Sequence, residues 1–342
     1  MDKKRIVIVG LNFGRCMVFS EFVHGKAGEY FELAGLCDLD ADKCRNMAAN
    51  LGVRAYANLA EVLADPEVAV VGLFTGPWGR AGLISQIIRA GKDVMTTKPF
   101  ELDPQAAMDV LLEARRLGRV VHLNSPGPQP SEDLRQIARW REQYNLGRPV
   151  AARADAWVSY REQPDGSWYD DPARCPAAPV FRIGIYMIND LVGVMGQAKS
   201  VQVTSSRIFT ARPTADNAQV TIQFADGAIA SVFASFCVDD QEPYKNALVL
   251  NFERGTIYRN SGPSEGQPAF CRMELVTPDG QQKVIQRTTT TSYSGLYQWD
   301  VLHRAISGEK IENEVPPEQI VQAVRIVRAI ATAEQSAKTE LV

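Results

Sequence analysis

The chain has 342 residues, of which 45% are hydrophobic and 23% are charged, an ordinary globular composition that excludes disordered, collagen-like and coiled-coil proteins. This length exceeds what one compact core usually holds, so it predicts two domains. The 37 Lys and Arg residues against 40 Asp and Glu residues leave a net charge of −3, so we expect neither nucleic acid nor a membrane surface as a partner.

The first 125 residues alternate short β-branched runs with segments of helical periodicity, such as Ala41–Leu51 and Ala81–Ala90. Parallel strands need crossover connections of this kind, which wind on both faces of the sheet. We therefore predict a Rossmann dinucleotide-binding domain over residues 1–125. Its predicted strands are Arg5–Val9, Leu33–Cys37, Val53–Tyr56, Val68–Thr75, Asp93–Thr97 and Val120–Leu123.

The pattern changes after a predicted helix at Pro130–Tyr144. A strand is predicted at Val150–Ser159, and an apolar helix at Val180–Met195. Period-two stretches bounded by turn residues then fill Val201–Arg287, which is typical of a meandering, largely antiparallel sheet. We predict an α+β substrate-binding and oligomerisation domain over residues 126–342, with a large open, mostly antiparallel sheet and a closing helix at about 316–337.

Several classes of site and location are not expected. The six cysteines lack paired spacing and the three histidines are far apart, so the sequence predicts no metal site and no disulfide framework. The apolar runs are too short to span a membrane. The first strand follows Met1–Arg5 directly, without the apolar segment of a signal peptide, so a cytoplasmic protein is expected.

A glycine-containing turn follows the first strand, in the segment Gly10-Leu11-Asn12-Phe13-Gly14-Arg15. Dinucleotide-binding folds use glycine there because backbone N–H groups must approach a pyrophosphate. This turn is one residue shorter than the usual G-x-G-x-x-G pattern, and a plain strand–helix turn is the alternative. The predicted cofactor-binding residues of this segment are Gly10, Asn12, Phe13, Gly14 and Arg15.

Asp38 ends the second strand, 28 residues after Gly10. A carboxylate at this position accepts hydrogen bonds from a ribose diol and repels a 2′-phosphate, so it favours NAD over NADP. NADP remains possible, because Arg15 and Lys43 are able to bind a phosphate. The other alternative is that Asp38 caps the helix that begins near Ala41.

The fourth and fifth strands end in residues suited to a ligand site. Thr75 ends the fourth strand, Pro77 and Trp78 follow it, and Lys98-Pro99 follows the fifth; Thr75, Pro77, Trp78 and Lys98 are predicted to bind the cofactor. In doubly wound sheets, ligands bind at this carboxyl edge. We predict that Lys98 holds its ammonium against a substrate hydroxyl or the nicotinamide ribose; a solvated surface lysine is the alternative.

These features occur in an order that resembles the glucose-fructose oxidoreductase, inositol dehydrogenase and MocA (Gfo/Idh/MocA) family, including Gly147-Arg148-Pro149 at the start of the second half. The resemblance implies an NAD(P)-dependent oxidoreductase acting on a small-molecule substrate, a catalytic role for Lys98, and a homodimer or homotetramer formed through the open sheet. The chain departs from the family's Glu-Lys-Pro motif, because Thr97 replaces the glutamate.

A second segment, Phe181–Asp190, carries Gly184-Ile185-Tyr186-x-x-Asn189, which is similar to the glucose-fructose oxidoreductase branch, where tyrosine acts as acid and base. Inositol dehydrogenase-type members have an aspartate and a histidine where this chain has Arg182 and Tyr186. On a helix, Arg182, Tyr186 and Asn189 would form one polar stripe. We predict that Tyr186 exchanges the hydroxyl proton while Lys98 and Arg182 orient the substrate and stabilise its alkoxide.

Arg182 and Tyr186 have a structural alternative, hydrogen bonding to the loop at Asp170-Asp171. The aromatic residues of this region, Trp157, Tyr160, Trp168 and Tyr169, could also pack in the core, which is more common for such residues than contact with a ligand. The reaction predicted is hydride transfer to or from a secondary alcohol or ketone of a sugar, cyclitol or related polyol; a reductase of imines or keto acids and a non-catalytic dinucleotide sensor are the alternatives. The predicted substrate contacts are Asn124, Trp168, Asp171, Asn189 and Asp190.

Overall fold

The computed structural model describes residues 2–241, 244–262, 271–336, 338 and 340–342. The chain forms two compact units, and each is built from two separate stretches of sequence. The first unit comprises Met1–Gln129 and Tyr297–Pro317, and the second comprises Pro130–Leu296 and Glu318–Val342. The division therefore differs from the predicted single boundary near residue 125, because the segment 297–317 returns to the first unit.

The first unit contains a six-stranded sheet in the order β3-β2-β1-β4-β5-β6. Every neighbouring pair in this sheet is parallel, as the alternation of strands and helices predicted. The carboxyl ends of all six strands therefore lie along one edge. The strands are β1 (Lys4–Val9), β2 (Phe31–Cys37), β3 (Arg54–Tyr56), β4 (Val70–Leu73), β5 (Asp93–Thr96) and β6 (Val121–Leu123).

The central strands are apolar because helices cover both faces of the sheet. Ile6, Val7 and Ile8 of β1 have no solvent exposure, and every residue of β4 and β5 is buried. The connecting helices are α1 (Leu11–Met17), which continues into a π-helical segment (Val18–Val23), α2 (Ala27–Tyr30), α3 (Ala41–Leu51), α4 (Leu59–Ala64), α5 (Arg80–Arg89) and α6 (Pro104–Arg116).

The second unit is built on a nine-stranded sheet in the order β14-β13-β12-β11-β7-β10-β9-β8-β15. Strands β7 and β10 pair in parallel, and the other pairs among the described strands are antiparallel. The predicted mostly antiparallel sheet is confirmed. The strands are β7 (Pro149–Trp157), β8 (Ala198–Ser206), β9 (Asn217–Phe224), β10 (Ile229–Ser235), β11 (Lys245–Phe252), β12 (Gly255–Arg259), β13 (Cys271–Asp279), β14 (Gln282–Thr290) and β15 (Glu340–Leu341).

Helices of the second unit include α7 (Glu132–Gln143) and α8 (Ile185–Met195). The sequence predicts one continuous helix from Val180 to Met195, whereas the structure begins it with a wider π-helical turn, Val180–Gly184. A π-helical turn closes with i→i+5 hydrogen bonds in place of the i→i+4 bonds of an α-helix. Arg182, the first member of the predicted polar stripe, lies in this turn, whereas Tyr186 and Asn189 lie on α8.

The returning segment contains α9 (Trp299–Ile306), and the second unit ends with α10 (Pro317–Ser336) followed by β15. Trp299 and Leu302 of α9 are buried in the core of the first unit with Ile6 and Phe31. This packing explains why the segment belongs to the first unit. Among the described residues, none of the helices combines the length and the apolar character needed to cross a bilayer.

Candidate active site

Gly10 forms the turn between β1 and α1. Its φ of +89° lies in the left-handed region, and a Cβ there would approach the backbone carbonyl of Phe74 to 3.0 Å. The Gly10 N–H donates to the Cys37 carbonyl oxygen at 2.9 Å, which ties the turn to the end of β2. Only glycine meets both the conformation and the space, so the backbone here stays open to a ligand.

The remaining residues of the turn differ in exposure. A Cβ on Gly14 would lie 2.9 Å from Cγ2 of Ile8, so glycine allows α1 to pack closely on β1. Asn12 and Arg15 are exposed, and the Asn12 side-chain oxygen accepts a hydrogen bond from Lys43 Nζ at 2.8 Å. The Phe13 ring is 37% exposed and meets the Phe74 ring edge-on.

The Asp38 carboxylate is held at the carboxyl end of β2 by two backbone groups. Oδ2 accepts from the Leu11 N–H at 2.5 Å, and Oδ1 accepts from the Asp40 N–H at 2.9 Å. The alternative that Asp38 caps α3 is wrong, because Asp40 is the N-cap and accepts from the Lys43 N–H at 3.0 Å. Asp38 thus fixes a negative charge directly beside the glycine turn.

The end of β4 presents an unsatisfied polar atom. The Thr75 hydroxyl oxygen is buried and has no hydrogen-bond partner among the described residues. Buried polar atoms are usually satisfied, so an orphaned hydroxyl at a sheet edge is well suited to a bound ligand. Pro77 is buried and Trp78 is half-buried in the same loop.

Lys98 follows β5 and is half-buried. Its backbone N–H donates to the Asn124 side-chain oxygen at 3.2 Å, and the Thr97 hydroxyl donates to the same oxygen at 3.3 Å. Asn124 follows β6 and is 2% exposed. Asn124, predicted to contact substrate, therefore also orders the backbone that carries Lys98.

In the second unit, Tyr186 is the second residue of α8 and is half-buried. Its ring lies against Gly295, where φ is +104° and a Cβ would come within 2.8 Å of the tyrosine Cε1. Burial raises the pKa of the Tyr244 phenol, and the neighbouring Tyr186 phenol raises it further. Tyr244 therefore stays protonated beside Tyr186 at neutral pH.

The Arg182 guanidinium forms a bidentate ion pair with Glu162. Both N–O distances are 2.7 Å, and the guanidinium carbon lies 3.9 Å from the centroid of the Tyr169 ring. Glu162 also accepts from Arg212 at 2.8 Å, and Arg212 in turn donates to Asp170 at 2.5 Å. The charge of Arg182 is thus balanced within its own unit by Glu162.

Asp190 is 1% exposed and belongs to a buried ionic cluster. One guanidinium nitrogen of Arg259 donates to Asp190 and to Asp133, both at 2.7 Å. Burial raises the pKa of Asp190, and the charge of Arg259 opposes that change. Asp190, predicted to contact substrate, therefore joins α8 to α7 and to β12.

The other predicted substrate contacts have varied surroundings. Asn189 is buried on α8. The Trp168 ring packs against the rings of Tyr169 and Phe181 at centroid distances of 4.2 and 5.9 Å. Asp171 is half-buried, and one of its carboxylate oxygens accepts from the Ala173 N–H at 2.9 Å within a turn. In the part of the chain that the structure describes, no group of His, Cys, Asp or Glu could hold a metal ion.

Two family models match this chain, and together they cover most of it. The model described as an oxidoreductase family with an NAD-binding Rossmann fold matches residues 4–125, and the GFO/IDH/MocA C-terminal domain model matches residues 134–258. The chain belongs to the Gfo/Idh/MocA family. The resemblance that the motifs predicted is therefore confirmed.

Individual relatives of this Gfo/Idh/MocA protein are distant. An uncharacterized oxidoreductase from Schizosaccharomyces pombe is 27% identical over 54% of this chain and 49% of its own length. Inositol 2-dehydrogenase/D-chiro-inositol 3-dehydrogenase from Lactiplantibacillus plantarum is 25% identical over 34% of this chain and 33% of its own length. The chain thus spans about half, or less, of these curated relatives.

A solved structure shares the fold over its whole length. Aldose-aldose oxidoreductase from Caulobacter crescentus, complexed with glycerol, superposes with a TM-score of 0.74 at 17% identity and covers 100% of both chains. This likeness establishes the architecture of the Gfo/Idh/MocA protein. It extends over both the parallel and the mostly antiparallel sheet.

The cofactor of this Gfo/Idh/MocA protein is NAD, bound by the Rossmann domain. The residues present fit it. Gly10 leaves the backbone open, Asp38 supplies an acceptor for a ribose diol, and the buried Thr75 hydroxyl has no hydrogen-bond partner within the described part of the chain. The chain accordingly carries the NAD-binding Rossmann domain of a family described as oxidoreductases.

Three residues that shape these surroundings are not among the predicted site residues. Arg80 and Glu101 are buried beside the loops that carry Thr75 and Lys98, and Glu162 neutralises Arg182. No periodic pattern marks such residues, because their partners lie far away in the sequence. The one sequence signal for Arg80 is its position directly after Gly79, at the start of an apolar helix.

Proposed function

We propose that this protein is an NAD-dependent dehydrogenase or reductase acting on a secondary alcohol, or the corresponding ketone, of a sugar, cyclitol or related polyol. The observation that carries the proposal is the position of Lys98. This half-buried residue follows β5, on the same sheet edge as Gly10, Asp38 and the Thr75 hydroxyl, which has no hydrogen-bond partner among the residues that the structure describes. An amine at that edge is suited to a substrate oxygen.

When bound, NAD supplies the hydride chemistry, and the protein supplies geometry and proton handling. Lys98 donates a hydrogen bond to the substrate oxygen and stabilises the negative charge that develops there. Tyr186 exchanges the hydroxyl proton. An isolated phenol has a pKa of about 10, so a positive charge must lower the pKa of Tyr186 for it to accept a proton near neutral pH.

Arg182 acts in this proposal as a positioning residue. Its guanidinium is paired with Glu162 and packed on the Tyr169 ring, so it holds the segment that follows β7 against the π-helical turn that precedes α8. A carboxylated substrate would have to compete with Glu162 for it. This arrangement favours neutral polyols over the keto acids that an unpaired arginine would suit.

The substrate class has support from the relatives. The Lactiplantibacillus plantarum relative is named for inositol oxidation, and the Caulobacter crescentus structure is named for aldoses. Trp168 offers a half-buried ring on which a sugar ring can stack. Asn124, Asp171 and Asn189 are the proposed polar contacts.

We also propose that the protein is a homodimer or homotetramer through the outer face of the nine-stranded sheet. The strand register places Val249, Tyr258 and Ile285 on this face, opposite the buried Leu248 and Ile257. An exposed sheet face with several apolar residues is suited to association. Sedimentation velocity of the wild-type protein and of Tyr258→Glu measures this directly, and a monomeric wild type would refute it.

The reaction is tested by a substrate panel with NAD and NADH. Polyols, inositols, aldoses, sugar acids, keto acids and imines are each mixed with the protein, and nicotinamide absorbance is followed. We expect turnover of a neutral polyol, cyclitol or aldose. Turnover of keto acids or imines alone would replace the proposed substrate class. Tight NAD binding by calorimetry without turnover of any member would favour a sensor instead of an enzyme.

A further inference from the structure

Arg80, the first residue of α5, is a buried cation with an unusual set of partners. Its side chain is 1% exposed. One terminal nitrogen donates to the carbonyl oxygens of Thr97 at 2.6 Å, of Pro99, and of Phe100 at 3.2 Å. The other terminal nitrogen donates to the Thr75 carbonyl oxygen. One guanidinium therefore joins the end of β4 to both sides of Lys98.

Glu101 supports this arrangement from the same loop. Its side chain is 2% exposed, and its two oxygens accept from the Ala81 N–H at 2.8 Å and from the Leu102 N–H at 2.7 Å. Burial lowers the pKa of Arg80 to about 10, while the negative charge of Glu101 opposes that change. Arg80 therefore keeps its charge at neutral pH, close to a buried carboxylate.

An arginine is required for this geometry. Converging carbonyl oxygens repel one another unless a cation lies among them, and the planar guanidinium spreads its five donors in a rigid fork. A lysine ammonium is a compact charge with three donors, so it cannot bridge four carbonyl groups on two loops in the same way. A lysine in place of Arg80 would therefore leave some of these carbonyl groups without a hydrogen-bond donor.

We infer that Arg80 is a positioning residue that fixes the backbone on both sides of Lys98 and so aims its ammonium. The inference rests on the proposed role of Lys98. Misplacing a reacting group by about 1 Å can cost roughly 10²-fold in rate, so a backbone held at Thr97, Pro99 and Phe100 is a direct means of controlling the reaction. The position of Asn124, which accepts from the Lys98 N–H, completes the constraint.

Hydrogen exchange of the protein without cofactor or substrate tests the first half of the inference. In Arg80→Lys, the amides of residues 97, 98 and 100–102 should exchange about tenfold faster than in the wild type, because the hydrogen bonds that hold the carbonyl groups of this segment are weakened. Arg89→Met is the matched control, since Arg89 lies on the same helix and its side chain is 68% exposed. Exchange unchanged in Arg80→Lys and in Arg80→Met would overturn the inference.

A double-mutant cycle on kcat tests the second half, with the polyol, cyclitol or aldose that the panel shows to be turned over fastest. Arg80→Lys should lower kcat about tenfold, and Lys98→Ala about 10²-fold. If Arg80 acts through Lys98, the double variant should match Lys98→Ala within about twofold, because the position of an absent amine no longer matters. Arg89→Met should keep the wild-type kcat.

The possible failures are distinguishable. Losses that multiply in the double variant, or no loss in Arg80→Lys, would overturn the positioning role while leaving Lys98 in place. If Lys98→Ala keeps the wild-type kcat, the proposed role of Lys98 is lost, whatever the exchange data show. Should Arg80→Met fail to fold, Arg80→Lys carries the same test with the buried charge retained.

Discussion

The Asp38 carboxylate is held by the Leu11 and Asp40 N–H groups, and this fixes where its negative charge lies. The position of Asp38 could be predicted from the sequence. The carboxyl ends of parallel strands lie on one edge of the sheet, so a residue that ends a predicted strand is placed at that edge. Arg80 could not be predicted in this way. Two of its acceptors lie 17 and 20 residues further along the chain, and they are backbone atoms that carry no sequence signal.

Replacing Asp38 tests the basis of cofactor choice. Asp38→Ala removes both the acceptor for the ribose diol and the charge that repels a 2′-phosphate, so the preference for NAD over NADP should fall about tenfold or more, roughly 1.4 kcal/mol. Calorimetric titration of both dinucleotides measures it. Asp42→Ala is the control, since Asp42 is an exposed acid on α3 paired with Arg45. An unchanged preference in Asp38→Ala would contradict the cofactor argument.

At the scale of elements, the pattern of the sequence predicted most strands and helices but not their packing. The helix Val180–Met195 was predicted from its apolar residues, yet its first turn is π-helical and presents Arg182 to Glu162. Local periodicity gives no information on such a partner, which lies 20 residues earlier in an irregular segment. The same limit applies to α9. Its Trp299 packs in the core of the first unit, against residues that lie far away in the sequence.

The network of Glu162, Arg182 and Arg212 should make the free energy of unfolding depend on pH in the acid range. Burial acts to raise the pKa of Glu162, but the hydrogen bonds and charges of the two arginines outweigh it and leave that pKa below its usual value. A hydrogen bond from Arg212 likewise lowers the pKa of Asp165. A carboxyl group whose pKa is lowered by folding stabilises the fold fully at pH values above its unfolded-state pKa, about 3.9 to 4.3. This contribution is lost as the pH falls below that value towards the folded-state pKa.

We therefore expect the free energy of unfolding to fall between about pH 4.5 and pH 3, and Glu162→Gln to flatten this dependence. Urea unfolding at a series of pH values measures both. Glu274→Gln is the matched control, because Glu274 pairs with Arg287 on an exposed part of the sheet. If Glu162→Gln shows the same pH dependence as the wild type, the network does not contribute to the acid dependence of the free energy of unfolding.

At the scale of the molecule, fold and family followed from the order of a few motifs, whereas the unit boundaries did not. The segment 297–317 returns to the first unit because α9 completes the core of that unit. No change in composition marks this return in the sequence. The substrate is equally beyond prediction from motifs, because side chains from loops determine it. The chemistry proposed for the whole protein depends on Lys98 and Tyr186.

The most direct test of that chemistry compares Lys98→Ala and Tyr186→Phe with the wild type, in steady-state turnover of the best panel substrate and in NAD titration. Each variant should lower kcat by about 10² or more, as is typical for general acid–base groups, while its NAD affinity stays within about threefold of the wild-type value. Tyr144→Phe, at the half-buried C-cap of α7, provides a tyrosine control with unchanged kcat. Wild-type kcat in either variant would contradict the account.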